Sequence, residues 1–330
     1  MSDTPKHSSD DVIILPPRRS PEGLHAPPRA TLLTWLQLMR LPTVFTAFSN
    51  ILCGYFITHA PRISDLPSSR ELWCLLASTF GLYLGGMVLN DVFDAKLDAV
   101  ERPERPIPSG RIPRKAATIL GVLLTTVGVL SAACVGIPSV CIALLIVPAV
   151  VIYNGFLKST IAAAPGMAAC RFLNLMLGAS AVSDIAGLWN PVPLCVATGL
   201  SLYIFGVTVF ARNEAGAVKR SGLVAGVFLL LCGLGIDAWT VSRSASPENV
   251  IRGSLMALLL FGLNIMMRVA AVISKPSPRL VQRTVGLMLL SIIFLDAIIV
   301  FALTGNSRLA VLTIALVAPA SLLKRFIPMS

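Results

Sequence analysis

The residues best suited to chemistry lie in one short acidic stretch, Asn90-Asp91-Val92-Phe93-Asp94-Ala95-Lys96-Leu97-Asp98. Asp91, Asp94 and Asp98 are spaced i, i+3 and i+7, and Asn90 precedes Asp94 by four residues. An α-helix places these four side chains on one face. Three carboxylates on one stripe repel one another unless a cation neutralises them. Because oxygen ligands select hard cations, the spacing predicts a Mg²⁺ site that also takes substrate phosphate.

The next residues supply positive charge, in the stretch Glu101-Arg102-Pro103-Glu104-Arg105-Pro106-Ile107-Pro108-Ser109-Gly110-Arg111. Its prolines end the helix, and guanidinium groups suit phosphate oxygens. Carboxylates beside Arg102 and Arg105 therefore indicate a diphosphate site. A solvated basic loop is the alternative, and it is the interpretation we prefer for Arg111, Arg114 and Lys115.

The elements that position these residues are membrane helices. Of 330 residues, 55% are hydrophobic and only 13% are charged, and the mean hydropathy is +0.80. So few charges cannot cover a water-facing surface, which excludes most soluble classes. A net charge of +11 is explained by basic loops, so no nucleic-acid partner is expected.

The hydrophobic pattern predicts an all-α, polytopic membrane protein with at least nine transmembrane spans. A tenth, C-terminal segment either spans the bilayer or is re-entrant or interfacial, because it contains Pro319. Residues 1–30 are predicted to form a disordered tail, and residues 31–330 a single domain. The predicted spans are 41–60, 72–92, 116–136, 138–157, 164–186, 192–211, 222–241, 252–273, 284–304 and 309–326.

Basic residues predict the orientation of these spans. Most lysines and arginines lie in the N-terminal tail and in the connections after even-numbered spans. Because basic loops stay cytoplasmic, the N-terminus and the acidic stretch are expected on the cytoplasmic side of the cell inner membrane.

The stretch NDVFDAKLDAVERPERPIPSG resembles the first aspartate-rich motif of the UbiA superfamily of intramembrane prenyltransferases. The resemblance covers about residues 36–304 and includes Arg40-Leu41-Pro42-Thr43, Asn50, Tyr153 and Lys158. It implies a bundle of nine core transmembrane helices around a central cavity and Mg²⁺-dependent ionisation of a prenyl diphosphate. It also implies transfer of the prenyl group to an aromatic or other lipophilic acceptor within the lipid bilayer.

This resemblance also suggests roles for individual residues. Metal ligation is expected from four carboxylates, with Asn90 orienting the first three: Asp91, Asp94, Asp98 and Glu214. Diphosphate binding is expected from four cations: Arg102, Arg105, Lys158 and Arg212. Four residues are expected to line the substrate cavity: Asn50, Tyr153, Arg171 and Asn174.

The second acidic motif of the superfamily is altered here. The chain reads Phe210-Ala211-Arg212-Asn213-Glu214-Ala215-Gly216-Ala217-Val218, so Glu214 replaces the first aspartate and Val218 the second. This resembles the EboC-like branch of the superfamily. A second Mg²⁺ would have fewer anionic ligands, and isoprenoid binding without efficient transfer is an alternative function.

Polar residues inside the spans leave further alternatives. Arg171 and Asn174 share a helix face, and either substrate binding or structural pairing explains them. Arg268, paired with Asn264 at i+4, is expected to extend toward the cytoplasm rather than to pair with Asp296. A transporter would use such residues as a substrate path, and a scaffold would keep the fold without catalysis. The transporter leaves the aspartate stripe unexplained.

Overall fold

The computed structural model describes residues 31–212, 220–274 and 277–327, and the described residues form helices without strands. The first seven helices are α1 (Leu32–Leu38), α2 (Val44–His59), α3 (Arg70–Glu101), α4 (Arg114–Ala133), α5 (Ile137–Ile152), α6 (Ala163–Gly178) and α7 (Pro191–Ala211). The remaining six are α8 (Arg220–Ser242), α9 (Glu248–Ser274), α10 (Pro278–Leu290), α11 (Ile292–Thr304), α12 (Ser307–Ala315) and α13 (Val317–Phe326). The predicted all-α membrane bundle is confirmed.

Nine segments of the described chain are long and apolar enough to cross a bilayer. They include α10 with α11, and α12 with α13, each pair forming one segment. The predicted fifth span, 164–186, is shorter than expected, because α6 ends at Gly178. Its 16 residues extend about 24 Å, less than the ~30 Å hydrocarbon core. Gly178 ends the helix against α2, where an added Cβ would lie 2.8 Å from the Ile51 Cα.

The C-terminal segment is a pair of short helices. Helix α12 ends at Ala315 and α13 begins at Val317, two residues before Pro319. Proline has no N–H to donate to the preceding turn, which accounts for the break. Helix α12 packs against α11 and α2, and α13 packs against the 3₁₀ turn Leu41–Thr43.

Helix α3 carries the acidic stretch beyond the bilayer core. The Ser69 hydroxyl caps its start by accepting a hydrogen bond from the Leu72 N–H, and its 32 residues extend about 48 Å. Since ~20 residues cross the hydrocarbon region, the helix reaches the opposite interface near Asn90. The length of α3 therefore places the carboxylates at the membrane surface.

Close helix contact supports this long helix. Gly81 and Gly85 are four residues apart, a GxxxG spacing that predicts a close-packing helix face. An added Cβ on Gly81 would lie 2.7 Å from the Gly128 nitrogen of α4, and one on Gly85 would lie 2.9 Å from the Gly121 carbonyl oxygen. The prediction is confirmed, since only glycine allows the two backbones to approach so closely.

A small apolar cluster fixes the loop that follows α3. Ile107 and Ile112 of this loop are buried against Val88 and Val92 of α3, together with Leu38 of α1. The loop therefore folds back toward the helix end, which brings its arginines to the carboxylates.

Candidate active site

The acidic face of α3 is enclosed by basic side chains. Asp91 and Asp98 are only 5% and 2% exposed. Charged groups are rarely so buried without partners, because desolvation costs several kcal/mol per ion. Each of the three aspartates forms an ion pair.

Arg105 joins two of these carboxylates. Its Nη1 lies 2.7 Å from the Oδ2 of Asp98 and 3.6 Å from the Oδ1 of Asp91, and its side chain is 5% exposed. Arg40 donates from Nη2 to the same Asp91 oxygen at 2.7 Å. Asp91 is therefore held between two guanidinium groups, one from the loop after α3 and one from a turn 51 residues upstream.

Lys158 reaches the acidic face from the fourth membrane segment. Its Nζ donates to the Asn90 Oδ1 at 2.9 Å and also bonds Asp94. It follows a π-helical turn, Tyr153–Leu157, that extends α5. Such turns are frequent at functional sites because the extra residue redirects the following side chains.

Asn90 connects the carboxylates, as the sequence predicted for an orienting residue. Its Nδ2 lies 3.3 Å from both Asp91 Oδ1 and Asp94 Oδ2. Its Oδ1 stays available to a cation, here Lys158. The amide therefore orders two acidic groups and one basic group at the same point.

The three aspartates do not meet at one centre. Asp91 and Asp98 turn toward Arg105, whereas Asp94 turns toward Lys158. Within the residues that the structure describes, no three carboxylate, thiol or imidazole side chains are grouped so as to hold a metal ion. The helical face is as expected, but protein cations hold its charges apart.

Other predicted site residues lie at varied positions. Arg102 is exposed in the loop after α3. Arg212 donates to the backbone oxygens of Thr160 and Ile161, at 2.7 and 3.2 Å, in the loop after Lys158. Tyr153 opens the π-helical turn. Glu214 lies outside the described residues.

The residues predicted to line the cavity form a polar network inside the bundle. Arg171 donates to the Asn50 Oδ1 at 3.1 Å and to the Thr46 Oγ1 at 3.0 Å. It also lies over the Tyr83 ring, 5.5 Å from its centroid. Asn174, on the next turn, donates to the Ala47 carbonyl at 3.0 Å. These contacts are structural pairing within the bundle, and substrate binding by Arg171 and Asn174 stays a prediction.

The network continues to the ninth predicted span. Asp296 accepts hydrogen bonds from Ser49 at 2.5 Å and from Asn50 at 2.8 Å. As expected, Arg268 does not pair with it: Arg268 donates to Asn264 at 2.9 Å on an exposed face. Arg171 and Asp296 therefore have hydrogen-bond partners on α2, whereas the buried Asp237 Oδ1 of α8 has none among the described residues.

A comparison with known families identifies the fold. The model of the UbiA prenyltransferase family matches residues 47–223, which is more than half of the chain. The chain belongs to this family. As a UbiA-family member it is a prenyltransferase, and its spans make it an integral membrane protein.

Relatives of this UbiA-family protein include two named digeranylgeranylglyceryl phosphate synthases. The one from Sulfurisphaera tokodaii is 28% identical over 215 residues, which is 63% of this chain and 73% of the relative. The one from Metallosphaera sedula is 30% identical over 217 residues, which is 64% of this chain and 72% of the relative.

Solved structures have the same fold. One, from work on digeranylgeranylglyceryl phosphate synthase in membranes, has a TM-score of 0.61 at 18% identity, covering 82% of this chain and 98% of its own. A UbiA homologue from Archaeoglobus fulgidus, bound to GPP and Mg²⁺, has a TM-score of 0.54 at 14% identity. The match covers 86% of this chain and 99% of that homologue. The EboC-like branch stays a prediction.

Sequence reasoning missed Arg40 as a site residue of this UbiA-family protein. The stretch Arg40-Leu41-Pro42-Thr43 had been noted only for its resemblance. Arg40 has a left-handed backbone, with φ 49° and ψ 44°, which is unusual for a residue other than glycine. The turn that follows places the Arg40 guanidinium within hydrogen-bond distance of Asp91. Fifty-one residues separate the pair, so no local spacing could indicate it.

Proposed function

We propose that this protein ionises a prenyl diphosphate with the help of Mg²⁺ and transfers the prenyl group to a lipophilic acceptor. The observation that carries this proposal is the charge arrangement at the end of α3. Carboxylates linked through Asn90 lie among cations from three other segments: Arg40, Arg105 and Lys158.

The oxygen groups suit Mg²⁺ although no three carboxylates converge. Mg²⁺ is usually bound by one or two carboxylates and completes its shell with water and substrate phosphates. Asp91 and Asp94 would supply the carboxylates, with Asn90 holding them. When bound, Mg²⁺ supplies positive charge that lowers the energy of the departing diphosphate. The near-complete burial of Asp98 against Arg105 favours a supporting role for that residue.

The cations of the site would bind the diphosphate by exchanging partners. Arg105 and Lys158 are now paired with carboxylates, and a metal-bound diphosphate offers both sides a new partner. The carboxylates would turn to the metal, and the guanidinium and ammonium groups to phosphate oxygens. Positive groups already in place stabilise the charge that develops as the allylic C–O bond breaks. Exposed Arg102 is placed to join them from the loop.

Arg212 and Glu214 take more distant roles in this proposal. Because Arg212 holds the backbone at Thr160 and Ile161, it would fix the loop that carries Lys158. Glu214 follows two residues later and would complete the metal shell from the opposite side. Alanine at position 214 should then raise the Mg²⁺ concentration needed for half-maximal activity.

The apolar spans support an isoprenoid donor and a lipophilic acceptor. Apolar walls accommodate the prenyl chain and exclude water from the carbocation. The names of the relatives favour a glyceryl phosphate lipid as acceptor, and an aromatic acceptor is the alternative. The distribution of lysine and arginine supports a site that opens to the cytoplasm from the cell inner membrane.

A transfer assay tests this function. Purified protein would receive radiolabelled prenyl diphosphates of several lengths, with glyceryl phosphate lipids, phenols, indoles and quinone precursors as acceptors. We expect Mg²⁺-dependent release of diphosphate and a labelled lipid product. The variant Asp91→Asn should lose both, while Glu104→Gln, a change to an exposed carboxylate in the adjacent loop, should keep both. Release that persists in Asp91→Asn, or without divalent cations, contradicts the proposal.

A further inference from the structure

The C-terminal helices enclose an apolar groove far from the acidic site. It has a volume of about 660 Å³ and lies between α2, α3 and α12. Its walls are aliphatic and aromatic: Phe45, Phe48, Leu52, Ile63, Leu66, Pro67, Leu72, Trp73, Leu76, Ala77, Phe80, Leu312 and Leu316. Trp73 is 57% exposed along it. The groove therefore has the surface chemistry of a site for a hydrocarbon chain.

A second, smaller cavity extends this groove. It has a volume of about 380 Å³ and shares Ile63 and Leu312 with the first. Ser307 and Arg308 lie at this end, at the start of α12. Among the described residues, no carboxylate forms an ion pair with Arg308, and its side chain is exposed. The combined cavity is thus apolar along its length and positively charged at one end.

Its depth matches one leaflet of the bilayer. The α3 residues of the groove, Leu72–Phe80, cover about 12 Å of helix. They belong to the start of α3, whereas Asp91 lies about 16 Å beyond Phe80 along the axis. Arg308 is accordingly at the membrane face opposite the carboxylates. A chain in this groove would enter from the leaflet that the catalytic site does not face.

We propose that this groove is a binding site for an anionic glycerophospholipid of the leaflet opposite the catalytic site. One hydrocarbon chain lies along Trp73 and Phe80, and the phosphate group lies at Arg308. The charge of Arg308 selects an anionic head group over a neutral one, while the apolar walls hold the chain. This site is separate from the prenyl-transfer proposal and does not depend on it.

Trp73 provides a direct readout of the groove. The other three tryptophans, Trp35, Trp189 and Trp239, would be replaced by phenylalanine. The full-length single-tryptophan protein would be placed in phosphatidylcholine vesicles that contain a small fraction of chain-brominated lipid, which quenches a tryptophan on contact. We expect brominated phosphatidylglycerol to quench Trp73 at about one fifth of the mole fraction needed with brominated phosphatidylcholine, since one basic side chain favours an anionic lipid about fivefold.

Variants assign this selectivity to the groove. Arg308→Gln should remove the fivefold preference, and Arg243→Gln, a change to an exposed arginine at the same membrane face just after α8, should keep it. Ala77→Phe, which adds bulk inside the groove, should reduce quenching by both lipids. Unbrominated phosphatidylglycerol should restore the fluorescence, and a C20 isoprenoid alcohol should not.

Three results would overturn the proposal. Equal quenching by both lipids would mean that the head group is not recognised. Quenching that Ala77→Phe leaves unchanged would place the lipid outside the groove. Recovery of fluorescence with the isoprenoid alcohol but not with phosphatidylglycerol would identify the occupant as an isoprenoid.

Discussion

Arg105 is predicted to hold the acidic end of α3 together. Its guanidinium lies 2.7 Å from Asp98 and 3.6 Å from Asp91, and all three side chains are at most 7% exposed. Replacing Arg105 with glutamine leaves a buried carboxylate without its cation. Breaking a buried pair from one side costs about 3–5 kcal/mol. For a chain of 330 residues, at an unfolding entropy of ~2.1 cal/mol/K per residue, that corresponds to a Tm lowered by roughly 4–7 °C.

The double variant Arg105→Gln/Asp98→Asn tests whether charge pairing causes the loss. It removes both charges and keeps similar shapes, so most of the lost Tm should return. Diphosphate release should stay low, because the cation for the phosphate is still missing. Thermal unfolding of all variants in the same detergent measures the recovery of Tm. The control Arg102→Gln, a change to an exposed side chain in the same loop, should shift Tm by no more than ~2 °C. A double variant no more stable than Arg105→Gln would refute this reasoning.

Three further predictions concern other contacts. Lys158→Gln should raise the KM for prenyl diphosphate ~10- to 150-fold in steady-state assays, because this is the range expected for the loss of one hydrogen bond to a charged group. An unchanged KM would show that Lys158 does not bind the diphosphate. Gly81→Ala should lower Tm because its Cβ would lie 2.7 Å from the Gly128 nitrogen. The control Gly235→Ala, whose Cβ would have no atom within 4 Å, should be neutral or stabilising. Equal effects of the two variants on Tm would argue against close packing at Gly81. Asp296→Leu should cost ~1–3 kcal/mol by leaving the Asn50 amide without its acceptor, since Ser49 also donates to the Thr46 carbonyl, and Asp296→Asn should cost less; the reverse order in thermal unfolding would contradict this.

Local sequence predicts the site where its contacts are local. The helical spacing of Asp91, Asp94 and Asp98 and the arginines that follow lie within one short stretch, so their proximity follows from helix geometry and a proline-rich turn. Arg105 pairs with Asp98 from seven residues away. Such contacts require only that α3 continue to Glu101, which it does.

Long-range contacts could not be predicted in this way. Asn50 and Asp296 are 246 residues apart, and the bond depends on how α2 and α11 pack. The early end of α6 was equally hidden, since hydrophobic residues continue past Gly178 although the helix ends there, close to the Ile51 backbone. Hydropathy measures the tendency to enter a membrane, and it contains no information about where a helix inside the membrane will end.

The left-handed backbone at Arg40 has a consequence for protein engineering. A side chain in this conformation costs about 1–2 kcal/mol, so design methods that optimise stability would choose glycine there. Arg40→Gly would relieve the turn and at the same time remove a cation from Asp91. A thermostabilised version of this enzyme could therefore fold better and work worse, and any such redesign should keep position 40 unchanged.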